Sequence, residues 1–167
     1  TLDLAGKTYD YISAYVSSVK GKDEDFTIAG NTFNIAKMDA GDFDVMFRSV
    51  LSCYEFPNAN TFKHTFSVNG QDAELLVPIT VEGNKVTIEM TAVASVLRNV
   101  EMYMFQDADN SQLHIYMPTK SFINYFANLE FTTLLTEGKI DQTDAAAVAK
   151  VFADMEARIE SINVSFV

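Results

Sequence analysis

A chain of 167 residues with 48% hydrophobic and 21% charged side chains is long enough for one folded domain and too apolar for extended disorder. Its 12 lysines and arginines stand against 23 aspartates and glutamates, which gives a formal net charge of -11. Nucleic acids and anionic lipids are bound mainly through lysine and arginine, so this balance excludes both as expected partners. We therefore expect a single domain over residues 1–167 with no nucleic-acid partner.

The first third of the chain is predicted to begin with strands. Residues 7–19 form the first predicted strand, and apolar side chains on both of its faces are typical of a strand that is covered on both sides. A hairpin over residues 25–37 follows and turns at Gly30 and Asn31. Apolar residues spaced three and four apart then predict an amphipathic helix over residues 43–54.

The middle of the chain alternates between apolar and polar residues, a period of two that is typical of antiparallel strands with one buried face. Short turn signals separate the alternating segments, which cover residues 62–68, 75–81, 86–90 and 113–117. The segment at residues 102–105 differs because Met102 and Met104 alternate with Tyr103 and Phe105, so both of its faces are apolar.

The last third returns to helical spacing. A short helix is predicted over residues 122–129. A longer one covers residues 143–159, with Thr143 as its cap and with Phe152 and Met155 on its buried side. Residues 162–166 alternate again and predict a final strand.

About eight strands with one early and two late helices predict a mainly β fold. A sheet of this size is expected to curl or close, since an open edge invites aggregation. We therefore predict an antiparallel β-barrel, or a strongly curled sheet, with a packed C-terminal helix followed by a closing strand. The closing strand at residues 162–167 is expected to pair with the first strand at residues 7–19.

Candidate ligand-binding residues come from the strands whose apolar faces point toward the interior. Phe62, His64 and Phe66 share one face, and Tyr103 and Phe105 add aromatic side chains from the strand with two apolar faces. In a hollow barrel these residues would line a pocket for a small apolar ligand, with His64 as its polar contact. In a solid core, His64 would instead bond to another buried side chain.

Catalytic and metal-binding patterns are missing from the sequence. The two histidines and the single cysteine, Cys53, have no metal-ligand spacing, and there is no nucleophile elbow or glycine-rich phosphate loop. We therefore predict no metal, no cofactor and no enzymatic activity. The alternative is an enzyme whose carboxylates gather at the barrel mouth, with candidates Glu74, Glu89, Glu101 and Glu130.

Two short segments carry a family resemblance. Residues 4–9 (LAGKTY), residues 113–119 (LHIYMPT) and the order of the predicted elements resemble the lipocalin-like secreted lipoproteins of unknown function found in gut Bacteroidales. The resemblance implies a lipocalin-like barrel and export to the periplasm, the outer membrane or the cell surface. It also implies that the protein meets a membrane only through a lipid anchor preceding the present chain, which begins at Thr1 as expected after removal of an export signal.

Two functions follow from these expectations. The first is a non-catalytic binding module of the bacterial cell envelope that holds a small apolar or amphiphilic ligand. The alternative is a structural or protein-interaction domain whose barrel is packed solid and whose outer surface docks a partner.

Overall fold

The computed structural model describes residues 1–28, 30–50, 53–68, 71–109 and 111–167, except for the side chains of residues 66–68. The strands are β1 Lys7–Asp10, β2 Ala14–Gly21, β3 Phe26–Ile28, β4 Asn31–Phe33, β5 Cys53–Asn58, β6 Thr61–Val68, β7 Gln71–Glu82, β8 Lys85–Ile88, β9 Val100–Gln106, β10 Leu113–Met117 and β11 Ile159–Phe166. The helices are α1 Ala40–Val50, α2 Thr119–Thr136 and α3 Ala145–Arg158, and short 3-10 turns occur at Ile35–Lys37 and Met90–Ala92.

Nine strands form one antiparallel sheet in the order β1-β5-β6-β7-β8-β9-β10-β11-β2, curled into a half-barrel. The remaining strands, β3 and β4, form a separate hairpin. This architecture confirms the predicted mainly β fold, a strongly curled antiparallel sheet with a C-terminal helix followed by a closing strand.

The two edge strands of the sheet, β1 and β2, follow each other along the chain. The single strand predicted over residues 7–19 is divided: β1 pairs with β5, and β2 pairs with β11 after a break of residues 11–13. The predicted closing pair is confirmed for the second half, where Val164 lies opposite Val16 and Phe166 opposite Ala14. One short N-terminal segment, residues 7–21, therefore supplies both edge strands of the curled sheet.

The helix predicted over residues 43–54 ends earlier than expected. It covers Ala40–Val50, and Tyr54 lies instead in β5, where it is buried together with Phe56. Residues 51 and 52 lie outside the described part of the chain. Tyr54 fits the spacing of the helix and also the alternation of a strand, so the sequence pattern does not distinguish the two at this residue. Pro57 disfavours a helix that continues through this segment, because the residue before a proline avoids the helical conformation.

Helix α2 is longer than predicted and occupies the concave side of the sheet. It is buried on nearly every side, with the aromatic residues Phe122, Tyr125, Phe126 and Phe131 among its buried positions. It contacts β9 and β11 of the sheet as well as α3 and β3. A helix buried all round belongs to a core. In the described part of the chain, no helix is both long and apolar enough to cross a membrane.

Phe47 of α1 is the centre of an aromatic cluster in this core. Its ring centroid lies 6.1 Å from that of Phe122 and 5.8 Å from that of Phe126, both on α2. On the sheet side it stacks on Phe166 of β11 at 5.9 Å. Phe47 thus joins α1, α2 and the closing strand.

Helix α3 buries the side that the sequence predicts, but its cap is not the predicted one. Phe152 and Met155 are buried, but Phe152 packs on Phe131 of α2, with 6.1 Å between the ring centroids. The predicted cap at Thr143 is wrong, because the Asp144 side chain accepts the hydrogen bond from the Ala147 backbone. Thr143 instead bonds to the Asp141 carboxylate, which makes it part of the preceding turn.

Candidate functional site

The five predicted ligand-binding residues do not form one site. Phe62 and His64 point into the core, whereas Tyr103 is half-buried and Phe105 is exposed on the opposite face of the sheet. The side chain of Phe66 lies outside the described residues. Successive side chains of a strand alternate between faces, and Met102 and Met104 occupy the inner positions of β9.

The interior around His64 is a packed cluster of rings. His64 stacks on Phe62, with 5.8 Å between centroids, and the Tyr125 hydroxyl oxygen lies 3.5 Å from its Nε2. The Tyr54 hydroxyl donates a hydrogen bond of 3.8 Å to the Met102 sulfur, and burial raises the pKa of both Tyr54 and Tyr125. Burial lowers the pKa of His64 to about 4, so its imidazole is neutral at pH 7. This agrees with the prediction of an interior histidine bonded within a core.

A small gap lies beside Tyr54, one residue of this cluster. Its volume is about 20 Å³, and Tyr9 and Phe166 are among the residues that border it. That volume suits roughly one water molecule.

The buried histidine predicts a pH-dependent stability. As the pH falls, His64 is protonated near pH 6.5 in the unfolded chain but only near pH 4 in the folded chain. Stability from this group is therefore complete above pH 6.5 and is lost as the pH falls. Urea unfolding at pH 7 and pH 4 should show a loss from His64 of about 3 kcal/mol, which His64→Leu removes. His114→Leu, an exposed control, should retain the loss, and equal losses in wild type and His64→Leu would contradict this assignment.

A group of aromatic side chains also lies on the outside of the sheet. We call Tyr15, Tyr103, Phe105, His114 and Tyr116, from β2, β9 and β10, the outer aromatic face. Tyr15 is 72% exposed, Phe105 50% and Tyr116 36%, so three large rings meet solvent here. Contiguous exposed apolar surface of this kind marks a site of interaction more often than scattered single residues do.

Strand register places a cleft within the outer aromatic face. Ser165 of β11 lies between Tyr116 of β10 and Tyr15 of β2, directly opposite each of them. The small serine between two tyrosines forms the floor of an open cleft of about 360 Å³. Its lining residues are Ser13, Ala14, Tyr15, Phe105, His114, Ile115, Tyr116, Ser165, Phe166 and Val167.

Polar groups surround the rings of this cleft. The Tyr116 hydroxyl donates a hydrogen bond of 2.8 Å to the Asn163 side chain, and Tyr103 packs against Tyr116 with 6.2 Å between centroids. The His114 Nε2 lies 3.8 Å from an Asp107 carboxylate oxygen. Among the described residues that line the cleft, none is aspartate, glutamate, lysine or arginine. The cleft thus combines aromatic walls with uncharged hydrogen-bonding groups.

Three of the four carboxylates that suggested an enzyme as the alternative have separate partners. Glu74 pairs with Lys63 at 3.2 Å, and Glu89 accepts a hydrogen bond from Thr80. Glu130 pairs with the buried Arg158 at 3.0 Å, although burial raises the pKa of this carboxyl more than the guanidinium lowers it. The described residues contain no group of three or more histidine, cysteine, aspartate or glutamate side chains arranged to hold a metal ion.

A second open cleft of about 360 Å³ lies beside α3. Its walls include Val96, Val148 and several alanines of the helix, together with Arg98. The Arg98 guanidinium is bound to Glu156 and lies over the Phe152 ring, 4.7 Å from its centroid. This cleft offers aliphatic contact and a cation that is already neutralised, which makes it a poorer candidate than the outer aromatic face.

Comparison of the chain with protein-family models, with curated proteins and with solved structures finds no match. The candidate site therefore rests on its geometry. The sequence prediction included Tyr103 and Phe105 but missed Tyr15, Tyr116 and Ser165. The available signal was the alternation in residues 113–117, which places Tyr116 on the same outward face as His114.

Proposed function

We propose that this protein is a non-catalytic binding module that holds a small amphiphilic ligand in the cleft of the outer aromatic face. The observation that carries the proposal is the arrangement of Tyr15 and Tyr116 on either side of Ser165. Exposed aromatic rings next to hydroxyl and amide groups are typical of small-molecule sites, where apolar contact gives affinity and a few polar groups give orientation.

The size of the surface favours a small ligand over a protein partner. An aromatic side chain offers roughly 150–250 Å², so at the observed exposures Tyr15, Phe105 and Tyr116 together present roughly 300 Å². A stable protein interface needs about 800 Å² on each partner. The cleft volume of about 360 Å³ falls instead within the range of small-molecule sites, roughly 300–1,000 Å³.

The packed cluster around His64 supports placing the ligand outside the barrel. Phe62, Tyr54 and Tyr125 fill the space that an interior ligand would need near this residue. A protein-interaction domain would also have a packed core, so the core does not distinguish it from a ligand-binding module. The small exposed area of the outer aromatic face favours the ligand-binding module. The resemblance of residues 4–9 and 113–119 to envelope lipoproteins supports a location in the bacterial cell envelope.

Fluorescence titration with Nile red, a neutral apolar dye, tests this proposal. The wild-type protein should bind the dye saturably, and the triple variant Tyr15→Ser/Phe105→Ser/Tyr116→Ser should lose most of the signal. Leu76→Ser is the matched control, since Leu76 is a strand residue that is 62% exposed away from this face. His64→Phe should also leave binding unchanged.

The dye titration also has outcomes that contradict the proposal. A protein that binds no dye has no accessible apolar cleft. If His64→Phe changes dye binding and the triple variant does not, the dye binds in the interior near His64 and not on the outer aromatic face.

A further inference from the structure

The spacing of Tyr15 and Tyr116 sets the width of the cleft. The two residues lie on strands separated by β11, so their backbones are roughly 10 Å apart, twice the distance between adjacent strands. The Tyr116 hydroxyl bonds to Asn163 of β11, so the Tyr116 ring leans over this intervening strand. A ligand above Ser165 would therefore lie between the two aromatic side chains.

The chemistry of the cleft restricts the ligand further. The faces of aromatic rings carry partial negative charge, so they attract polarised C–H groups. The residues lining the cleft include Ser13 and Ser165, which carry hydroxyl groups, and His114, which carries an imidazole. A purely apolar ligand would desolvate these groups without bonding to them, which costs free energy. The ligand therefore needs C–H faces and a rim of hydroxyl groups.

The charge of the protein argues against an anionic ligand. The described residues lining the cleft include no lysine or arginine, and the chain has a net charge of -11. His114 is the one histidine among the described lining residues, and its Nε2 lies 3.8 Å from a carboxylate oxygen of Asp107. An anionic ligand would find repulsion from the chain and no cation to offset it.

We infer that the cleft binds a neutral saccharide, with one sugar ring held between Tyr15 and Tyr116 above Ser165. This inference rests on the proposed function and names its ligand class. Sugar rings combine C–H faces that stack on aromatic rings with hydroxyl groups at their rim. The hydroxyls would bond to Ser13, Ser165 and His114.

Titration calorimetry with defined oligosaccharides tests the inference. The probes are neutral hexasaccharides of glucose, mannose, galactose or xylose, with an oligogalacturonide as the anionic counterpart. At least one neutral probe should bind saturably, and the oligogalacturonide should not. Tyr15→Ala and Tyr116→Ala should each weaken binding tenfold or more, because each removes one stacking surface. Tyr116→Phe, which retains the ring and loses the hydrogen bond to Asn163, should stay within about threefold of wild type.

The controls separate failure of the inference from failure of the proposed function. Leu76→Ser and Val45→Ser change exposed apolar side chains outside the outer aromatic face and should bind the probe like wild type. If no neutral probe binds, or if Tyr15→Ala and Tyr116→Ala bind as well as wild type, the saccharide inference is overturned. If Nile red still binds and its binding depends on the same tyrosines, the proposed function stands without the saccharide inference. If neither a saccharide nor Nile red binds, the inference and the proposed function are both overturned.

Discussion

Replacing Phe47 by alanine is expected to lower the free energy of unfolding by about 3–5 kcal/mol, the usual cost of removing a fully buried phenylalanine. The Phe47 ring contacts Phe122 and Phe126 of α2 and Phe166 of β11, so the cavity would open where two helices and the closing strand meet. Urea unfolding followed by circular dichroism measures the change.

The control for this substitution lies on the same helix. Val45 is 65% exposed, and Val45→Ala should change stability by less than about 0.5 kcal/mol. A cost below about 1 kcal/mol for Phe47→Ala would mean that α1 is peripheral to the core rather than part of it.

Deleting residues 162–167 is expected to destabilise the fold and to promote aggregation. The deletion removes Ile162, Val164 and Phe166, all buried. It exposes the side of β10 that does not pair with β9, and it removes the partner residues of β2 at positions 14–17. Two new edges and an uncovered apolar face favour aggregation. Size-exclusion chromatography with light scattering should show oligomers or aggregates, and thermal unfolding should lose its cooperative transition.

Ser165→Ala is the control for the deletion, since it changes an exposed side chain of the same strand without altering its pairing. It should remain monomeric with wild-type stability. A truncated chain that stays monomeric and equally stable would show that β11 does not close the sheet.

The sequence predicted the strands well where one face was apolar and the other polar. Residues 113–117 alternate in this way, and the structure buries Leu113, Ile115 and Met117. The same reasoning left β9 ambiguous because Tyr103 and Phe105 are as apolar as Met102 and Met104. Only the packing of the interior decides which pair points inward.

Other features depend on contacts that a single sequence does not reveal. The burial of α2 on nearly every side follows from its position on the concave side of the sheet, and its spacing alone predicts only one buried stripe. The cleft is equally invisible, because Tyr15 and Tyr116 become neighbours only through their shared register with Ser165. Tyr15 and Tyr116 are about 100 residues apart in the chain, so their proximity can be seen only when the strand order is known.

The pairing of β2 with β11 also determines how late the fold is completed. Gly21 lies opposite Ile159, so this ladder joins residues roughly 140 positions apart, whereas β5 to β10 join their neighbours through short connections. Long-range pairing carries the larger entropic cost of loop closure and is expected to form after the local hairpins. When the chain is made or translocated from its N-terminus, β2 emerges early and stays without its partner until β11 has emerged. A chaperone that binds unpaired strands would therefore find its longest-lived target in residues 14–21.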